Sequence, residues 1–322
     1  MQPQDWFLWR GDVEVKVILV GNGYFGSLYR QRLESNSRFE LVGVVEPNYD
    51  NFKDLKATTI GHDYETLAKN VDHDAVVIAT PPSQHASVAY TAMDNGKHVL
   101  CAKPGALSMT DLYMLHGIAN ANNLFFMVDY TSLWAPENKF IDGQVMETCA
   151  VPTTMASTRF VSTPAKPEGA IWDLLCHDVA FYHYHFYHER PTSVQCETVG
   201  DQTTAVICVG KREVAYMKAA YNSEQAQKNI TMYLDVSKRM TNPNVMMHWN
   251  QEQRFVSIQS QGRSVDFHFK HNPDPISMAL DRLLTERYMA SEHLRRHAYV
   301  TSILHAMQHS ADNKGITVGL DK

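Results

Sequence analysis

Lys103 stands where a short apolar stretch, His98-Val-Leu-Cys-Ala102, meets Pro104. Lysine is rarely buried without a reason, and proline is excluded from the interior of a central strand. A strand is therefore expected to end here with an ammonium at its exit. An ammonium in that position can stabilise negative charge on a reacting oxygen. We also predict that the Lys103–Pro104 bond is cis, since an X–Pro bond gives up only about 0.5–1 kcal/mol in that form.

Asp173 and His177 form a second pair suited to proton transfer. They stand four positions apart in a segment, residues 172–188, whose pattern predicts a helix, so their side chains are expected to share one face. A carboxylate beside an imidazole fixes the orientation of the ring and stabilises the imidazolium. A base tuned near neutral pH can accept the proton of an alcohol while its hydride leaves. An ordinary surface pair on a helix would have the same spacing.

Three glycines follow a β-branched run near the N-terminus in the order Gly-x-Gly-x-x-Gly. This order between a strand and a helix is typical of a dinucleotide-binding turn. The first glycine permits the tight turn, the second lets a pyrophosphate approach the backbone, and the third allows close packing of helix on strand. The same glycines could serve turns in a fold that binds nothing. The predicted phosphate-binding turn consists of Gly21, Asn22, Gly23, Tyr24, Phe25 and Gly26.

Glu46 ends the next predicted strand, about twenty residues after the last glycine of that turn. An acid at this point of a dinucleotide-binding fold accepts hydrogen bonds from the adenosine ribose hydroxyls and repels a 2′-phosphate. No arginine follows Glu46 immediately. The sequence therefore favours NAD over NADP as the cofactor.

The elements that carry these residues change character after Tyr130. Residues 1–130 alternate between strand and helix, which predicts a Rossmann domain with a doubly wound parallel sheet. Residues 131–322 contain two helices and then long strands with period-two alternation, which predict an α+β domain with a large, open, mainly antiparallel sheet. We expect an α/β protein with an N-terminal NAD-binding domain and a C-terminal domain for substrate binding and oligomerisation. An N-terminal capping box is predicted for a helix that starts after Ser108, with Asp111 at its third position.

Two segments together resemble one family of oxidoreductases. The first contains Thr80-Pro81, His85, the stretch Asn-Gly-Lys-His-Val-Leu and Lys103-Pro104, and the second, Ile-Trp-Asp-Leu-Leu-Cys-His at residues 171–177, carries an Asp-x-x-x-His pattern. These features are similar to those of the glucose–fructose oxidoreductase, inositol dehydrogenase and rhizopine catabolism family (Gfo/Idh/MocA). The resemblance implies a Rossmann domain followed by an α/β domain with a large open sheet.

The resemblance also implies roles for matched positions. Trp172 is expected either to form an aromatic wall near the nicotinamide or to be plain core. Lys103 is expected beside the nicotinamide as the electrostatic partner of a developing alkoxide, with His177 as general base and Asp173 as its orienter or as a ligand of a substrate hydroxyl. The residues expected to line the nicotinamide half of the site are Thr80, Pro81, Pro82, His85 and Lys103.

Two positions depart from the family pattern. Pro82 stands where the family usually has asparagine, so a cofactor contact is expected to be lost. Ala102 stands where the family usually has a glutamate before the lysine, so Lys103 is expected to be competent but less rigidly placed.

These features favour an NAD-dependent oxidoreductase that transfers hydride between nicotinamide and a secondary alcohol or ketone of a sugar, cyclitol or nucleotide-sugar. Two alternatives remain open. Ala102 and Pro82 also fit a catalytically degenerate protein that binds NAD and a sugar. The same architecture would also serve an NADPH-linked reductase of a keto-sugar, an imine or a linear tetrapyrrole.

Composition limits the partners of the chain. The net charge of −6 over 322 residues, without a lysine- or arginine-rich run, argues against nucleic acid and anionic membranes. Five scattered cysteines and no N-terminal signal favour reduced thiols in the cytoplasm. Among the histidines near His185, only His185 and His188 have the spacing of a metal-binding pair, and a role in the core or on a helix surface is favoured for them, so no metal is expected. A homodimer or homotetramer is expected from the resemblance. The N-terminal arm with Trp6 and Trp9 is expected to pack on its parent domain or on a partner subunit.

Overall fold

The computed structural model describes residues 14–52, 59–236, 244–270 and 273–320. The N-terminal arm with Trp6 and Trp9 lies outside the described residues. The chain divides into two compact units. The first takes in the described residues up to Tyr130 together with Ile276–Thr301, and the second takes in Thr131–Pro275 and the described residues from Ser302 onward.

A parallel sheet forms the core of the first unit. Six strands pair in the order β3-β2-β1-β4-β5-β6 within the described residues, and every pairing is parallel. All four residues of β4 are buried, as expected for a strand that is covered on both faces. The strands are β1 Val15–Val20, β2 Phe39–Val45, β3 Thr59–Gly61, β4 Ala75–Ile78, β5 His98–Ala102 and β6 Phe126–Asp129.

Helices follow these strands as the alternating pattern predicted. They are α1 Tyr24–Ser35, α2 Tyr64–Ala68, α3 Pro82–Asp94 and α4 Met109–Ala121. The predicted cap of α4 is confirmed, because the backbone N–H of Asp111 donates to the hydroxyl of Ser108 at 3.1 Å. The sequence pattern missed β3, a three-residue edge strand without a buried residue.

The segment Ile276–Thr301 belongs to the first unit, whereas the predicted C-terminal domain of residues 131–322 includes it. Aromatic contacts explain the difference. The ring of His293 lies edge-on to Phe125 with centroids 5.2 Å apart, and His297 lies against Phe126 at 5.3 Å. Such long-range packing has no local signal in the sequence. The helices concerned are α7 Pro275–Thr285 and the first part of α8 Ala290–Asp312.

A large mixed sheet dominates the second unit. Nine strands within its described residues pair in the order β14-β13-β12-β11-β7-β10-β9-β8-β15. The pairs are antiparallel, as predicted, except that β7 and β10 run parallel. The strands are β7 Val151–Phe160, β8 Ser193–Val199, β9 Gln202–Val209, β10 Arg212–Ala220, β11 Gln227–Asp235, β12 Asn244–Asn250, β13 Phe255–Ser260, β14 Arg263–His268 and β15 Val318–Gly319.

Helices of the second unit pack on this sheet. The guanidinium of Arg159 on β7 binds the carboxylate of Asp178 at 2.8 Å, and both side chains are buried. Phe140 packs on Phe267 of β14 with ring centroids 4.7 Å apart. Phe140 lies on α5 Pro136–Thr148, and Asp178 lies on α6 Cys176–His185, which directly follows a π-helical turn, Ile171–Leu175. None of the helices in the described part of the chain is both long and apolar enough to cross a membrane.

His185 is a buried core histidine in α6. Its Nε2 donates to the side-chain oxygen of Asn138 at 2.8 Å, and its ring packs on Phe181 with centroids 4.3 Å apart. Burial lowers the pKa of this imidazole to about 3. The folded protein therefore holds the ring neutral over a wide pH range.

We expect His185 to make stability depend on pH. The unfolded chain binds a proton at this ring near about pH 6.5 while the folded chain does not, so acidification favours unfolding by up to about 1.4 kcal/mol per pH unit. This loss begins near that pH and continues down to about 3, the folded-state pKa. Denaturation midpoints across this window should fall less steeply in His185→Gln than in the wild type. His183→Gln, at a half-exposed position of the same helix, is the matched control. Equal slopes in all three proteins would contradict this assignment.

Candidate active site

Gly21 and Gly26, in the turn after β1 and at the start of α1, stand at positions where a larger side chain would clash. Gly21 has a φ of +93°, and a Cβ there would lie 2.6 Å from the carbonyl oxygen of Ala79. A Cβ on Gly26 would lie 2.0 Å from the carbonyl oxygen of Gly21. The first glycine thus permits the turn and the third permits α1 to approach it, which are the roles assigned from spacing.

Gly23 differs from these two glycines, because a Cβ there would meet no atom within 4 Å. It is the N-cap residue of α1 and offers no side chain to accept hydrogen bonds from the first turn. Tyr24 is 85% exposed, and Phe25 packs edge-on against Tyr29 with ring centroids 5.3 Å apart. The start of α1 therefore combines open space, backbone donors and the positive end of a helix dipole, which suits a pyrophosphate.

The carboxylate of Glu46 is buried beside the glycine turn, with 6% of the residue exposed. One oxygen accepts the backbone N–H of Asn22 at 2.7 Å, and the other accepts that of Asn48 at 2.9 Å. The side chain of Asn22 donates to the carbonyl of Asn51 at 2.6 Å. Glu46 therefore fixes the glycine turn to the loop after β2. Since an ionised carboxylate has about four acceptor sites, it retains capacity for ribose hydroxyls.

The exit of β4 presents Thr80, Pro81 and Pro82. Pro81 is the N-cap residue of α3 and Pro82 its first residue, where a missing N–H costs nothing. The hydroxyl oxygen of Thr80 is buried and has no hydrogen-bond partner among the described residues. A polar atom of this kind, next to the glycine turn, suits a polar ligand. These residues fit a dinucleotide.

His85 ties together the exits of β4 and β5. Its Nε2 lies 2.8 Å from the carbonyl oxygen of Thr80 and its Nδ1 lies 2.7 Å from that of Pro104. The residue is only 1% exposed. The ring thus holds the backbone that carries Thr80 and Lys103. Its predicted contact with the cofactor stays a prediction.

Lys103 emerges half-buried from the end of β5. The Lys103–Pro104 bond is cis, as predicted. Sequence reasoning missed Gly105, where a Cβ would lie 2.4 Å from a methyl group of Val128 and 2.9 Å from Nε2 of His297. A glycine directly after Lys-Pro was the available signal. Side chains of β6 and α8 therefore pack closely against the turn that carries Lys103.

The second unit carries Asp173 on the π-helical turn, with His177 in the first turn of α6. The predicted regular helix over residues 172–188 is thus wrong in detail, because the backbone widens at Ile171–Leu175 and α6 ends at His185. Inserted π-turns are frequently found at functional sites. His177 is half-buried, whereas every other residue from 170 to 182 is buried.

Asp173 is bound by two side chains that sequence reasoning missed. One carboxylate oxygen lies 2.8 Å from Nζ of Lys166, and the other accepts the hydroxyl of Tyr221 at 3.0 Å. Burial, and then the charge of Asp173, raise the pKa of Tyr221 far above its usual value. No spacing rule connects these positions, since Tyr221 lies 48 residues from Asp173.

Trp172 is 6% exposed, which fits the plain-core alternative within its unit, and its contact with a nicotinamide stays a prediction. Lys103 lies in the first unit, and Asp173 and His177 lie in the second. Their predicted convergence around one reacting carbon also stays a prediction. In the ranges that the structure describes, no group of three His, Cys, Asp or Glu side chains could hold a metal ion.

Residues 15–130 match the model of the oxidoreductase family with an NAD-binding Rossmann fold, GFO_IDH_MocA. These residues make up little more than a third of the chain. A curated relative, trans-1,2-dihydrobenzene-1,2-diol dehydrogenase of Xenopus laevis, is 25% identical over 235 residues, which cover 67% of this chain and 68% of the relative. Alignments with the first curated relatives span from 32% to 68% of those proteins' own length.

Two solved structures have the same fold as this chain. UDP-N-acetylglucosamine 3-dehydrogenase of Acidithiobacillus ferrooxidans has a TM-score of 0.77 at 18% identity and covers 94% of this chain and 99% of its own. Myo-inositol 2-dehydrogenase of Lactobacillus plantarum has a TM-score of 0.76 at 14% identity and covers 96% and 100%. Both likenesses extend over the two units.

A carboxylate lies on the strand next to Ala102, the residue before Lys103. Ala102 of β5 pairs in register with Asp129 of β6. Asp129 is fully buried and accepts the hydroxyl of Tyr29 from α1. Burial and the charge of Asp129 raise the pKa of Tyr29. A carboxylate therefore remains at this edge of the sheet, although the family's usual glutamate is absent.

Proposed function

We propose that this protein is an NAD-dependent oxidoreductase that acts on a secondary alcohol or ketone of a sugar, cyclitol or nucleotide-sugar. The observation that carries the proposal is the position of the glycine turn and Lys103 in the first unit. Gly21 and Lys103 follow the carboxyl ends of β1 and β5, which are separated only by β4. Ligands of open parallel sheets bind beyond these ends.

The residues that would hold the dinucleotide come from this edge. The pyrophosphate would lie at the start of α1 over Gly23, and the adenosine ribose would lie by Glu46. Thr80, Pro81 and Pro82 would border the nicotinamide half. When bound, the nicotinamide would supply the acceptor or donor of a hydride.

The side chains of this chain would handle the proton and the charge. His177 would accept the hydroxyl proton of an alcohol, or return it when a ketone is reduced. Lys103 would stabilise the negative charge that develops on the same oxygen. Asp173 would support the imidazolium or bind a neighbouring hydroxyl of the substrate.

The names of related proteins support this substrate class. Proteins similar to this chain include a dehydrogenase of a dihydrobenzene diol, a dehydrogenase of UDP-N-acetylglucosamine and a dehydrogenase of myo-inositol. A hydroxyl group on a six-membered carbon or sugar ring is common to these three substrates. We infer that the substrate of this protein also carries a ring hydroxyl.

A substrate panel tests the proposal directly. The protein is incubated with NAD⁺ and, in separate reactions, with myo-inositol, glucose 6-phosphate and UDP-N-acetylglucosamine, while nicotinamide absorbance is recorded. Reduction of NAD⁺ by at least one ring alcohol is expected. Tight binding of NAD⁺ without turnover on a wider panel would favour the degenerate binding protein instead, which Ala102 and Pro82 also fit.

Glu46 is expected to set the preference for NAD over NADP. A 2′-phosphate would lie next to its buried carboxylate, so NAD⁺ should bind at least about tenfold more tightly than NADP⁺. Glu46→Gln removes the charge and should narrow that ratio by improving the binding of NADP⁺. Dissociation constants for both dinucleotides measure the effect. A loop that is merely disturbed would weaken both and leave the ratio unchanged, which would contradict the assignment, as would a wild-type preference for NADP⁺.

A further inference from the structure

Asp173 is part of a side-chain cluster with Lys166 and Tyr221. One oxygen of its carboxylate lies 2.8 Å from the ammonium of Lys166, and the other accepts a hydrogen bond from the hydroxyl of Tyr221 at 3.0 Å. Three separate segments of the second unit therefore converge on one carboxylate: the connection after β7, the π-helical turn and the residue after β10.

The carboxylate of Asp173 is the buried charge of this cluster. The side chain of Asp173 is 5% exposed and Tyr221 is 4% exposed, whereas the side chain of Lys166 is 51% exposed. Burying an ionised carboxylate is costly unless donors compensate it, and here a cation and a hydroxyl do so. Burial and the charges of Asp173 and Glu168 raise the pKa of Tyr221, so its hydroxyl stays protonated. The hydroxyl therefore acts as a hydrogen-bond donor to the carboxylate of Asp173.

The loop at Tyr221 does not need the side-chain cluster to hold its conformation. Backbone hydrogen bonds already fix the chain around Tyr221: its N–H donates to Asp201 at 3.2 Å, that of Asn222 donates to Thr163 at 3.1 Å, and that of Ser223 donates to Val161 at 3.0 Å. Cys176 similarly donates its thiol to the backbone carbonyl of Asp173 at 3.5 Å. The chain around Tyr221 is therefore held by backbone hydrogen bonds that do not involve the side-chain cluster.

We propose that Lys166 and Tyr221 are positioning residues that keep Asp173 ionised and aligned for proton transfer at His177. This inference depends on the proposed function, in which Asp173 supports the imidazolium. Lys166 supplies a positive charge and Tyr221 supplies a neutral hydrogen-bond donor. Glu168 is a second negative charge near the cluster. Losing either donor makes ionisation of Asp173 less favourable, so its pKa rises and the ionised form disappears at a higher pH.

The expected signature is a shift of the acid limb that ionisation of Asp173 adds to the pH profile of kcat/KM, which is separate from the limb that protonation of His177 produces. Lys166→Met and Tyr221→Phe should each move that limb upward by about one pH unit and lower kcat at the optimum about tenfold. Lys166→Arg should restore the limb, since it returns a cation. The affinity for NAD⁺ should not change, because the glycine turn belongs to the other unit.

Two variants on the exposed face of β10 serve as matched controls. Tyr216→Phe and Lys218→Met remove the same chemical groups from a tyrosine and a lysine that contact each other at 5.4 Å. Both should keep the wild-type profile. An acid limb that stays in place in Lys166→Met and Tyr221→Phe, whether activity is intact or uniformly reduced, would overturn the proposal.

A second readout separates this inference from the proposed function. A carboxylate NMR titration of Asp173 in the full chain reports its pKa without turnover, and the pKa should be higher in both variants than in the wild type. If the wild type oxidises no ring alcohol but the titration shows this rise, the proposed function fails while the ionisation argument holds. If the wild type turns over and the pKa does not move, the role of Lys166 and Tyr221 is refuted.

Discussion

Replacing Lys103 by methionine lowers kcat by about a hundredfold or more, because removing a single donor that stabilises a developing oxyanion typically has an effect of that size. Methionine preserves the length and apolar stem of the side chain. Lys103 lies beyond the end of β5, outside the strand ladder, so the sheet should fold normally. The affinity for NAD⁺ should stay within a small factor of the wild-type value. Steady-state kinetics and a binding titration measure both quantities.

Lys97→Met is the matched control for this variant. Lys97 precedes the same strand at its opposite end, where its ammonium donates to the carbonyl of His73 at 2.7 Å. That end of the sheet is remote from the glycine turn, so kcat should be unchanged. Full turnover in Lys103→Met would remove Lys103 from the chemistry. A loss in both variants would point to a general effect on folding.

Gly23→Ala is expected to weaken the binding of NAD⁺ at least about tenfold without destabilising the protein. A Cβ at this position meets no atom within 4 Å, so the substitution is tolerated by the fold. The methyl group would instead occupy the space through which a pyrophosphate reaches the backbone N–H groups of α1. A calorimetric titration with NAD⁺, together with a melting curve, separates binding from stability.

The chain offers controls in both directions for Gly23→Ala. Gly117 lies within α4 and also has no atom within 4 Å of a Cβ, so Gly117→Ala should leave NAD⁺ binding unchanged. Gly26→Ala should destabilise the first unit, because its Cβ would lie 2.0 Å from a backbone oxygen. Wild-type affinity in Gly23→Ala would mean that the dinucleotide does not bind over this turn.

Features with a local cause were predictable from the sequence. The glycine turn, the cis bond at Lys103 and the cap by Ser108 depend on a few consecutive residues, and the structure has all three. Period-two alternation likewise predicted the antiparallel character of the second sheet, for example in β11, where Ile230 and Leu234 are buried. In β11 the side chains alternate because the strand has one covered face.

Features that depend on distant partners were not predictable in the same way. The parallel pairing of β7 with β10 and the assignment of Ile276–Thr301 to the first unit both arise from long-range packing. At the site, the side chains that bind Asp173 come from separate loops. Asp129 lies opposite Ala102 only because β5 and β6 pair in this register. The π-helical turn at Asp173 also stands where the sequence pattern predicted a regular helix.

Direct hydride transfer is the central claim, and an isotope measurement tests it most directly. A ring alcohol that the substrate panel identifies is prepared with deuterium on the carbinol carbon and incubated with NAD⁺ and the wild-type protein. Mass spectrometry should find the deuterium in the reduced nicotinamide, and Lys103→Met should form this product about a hundredfold more slowly. Reduced nicotinamide without deuterium, or no reduced nicotinamide with any ring alcohol, would contradict the account.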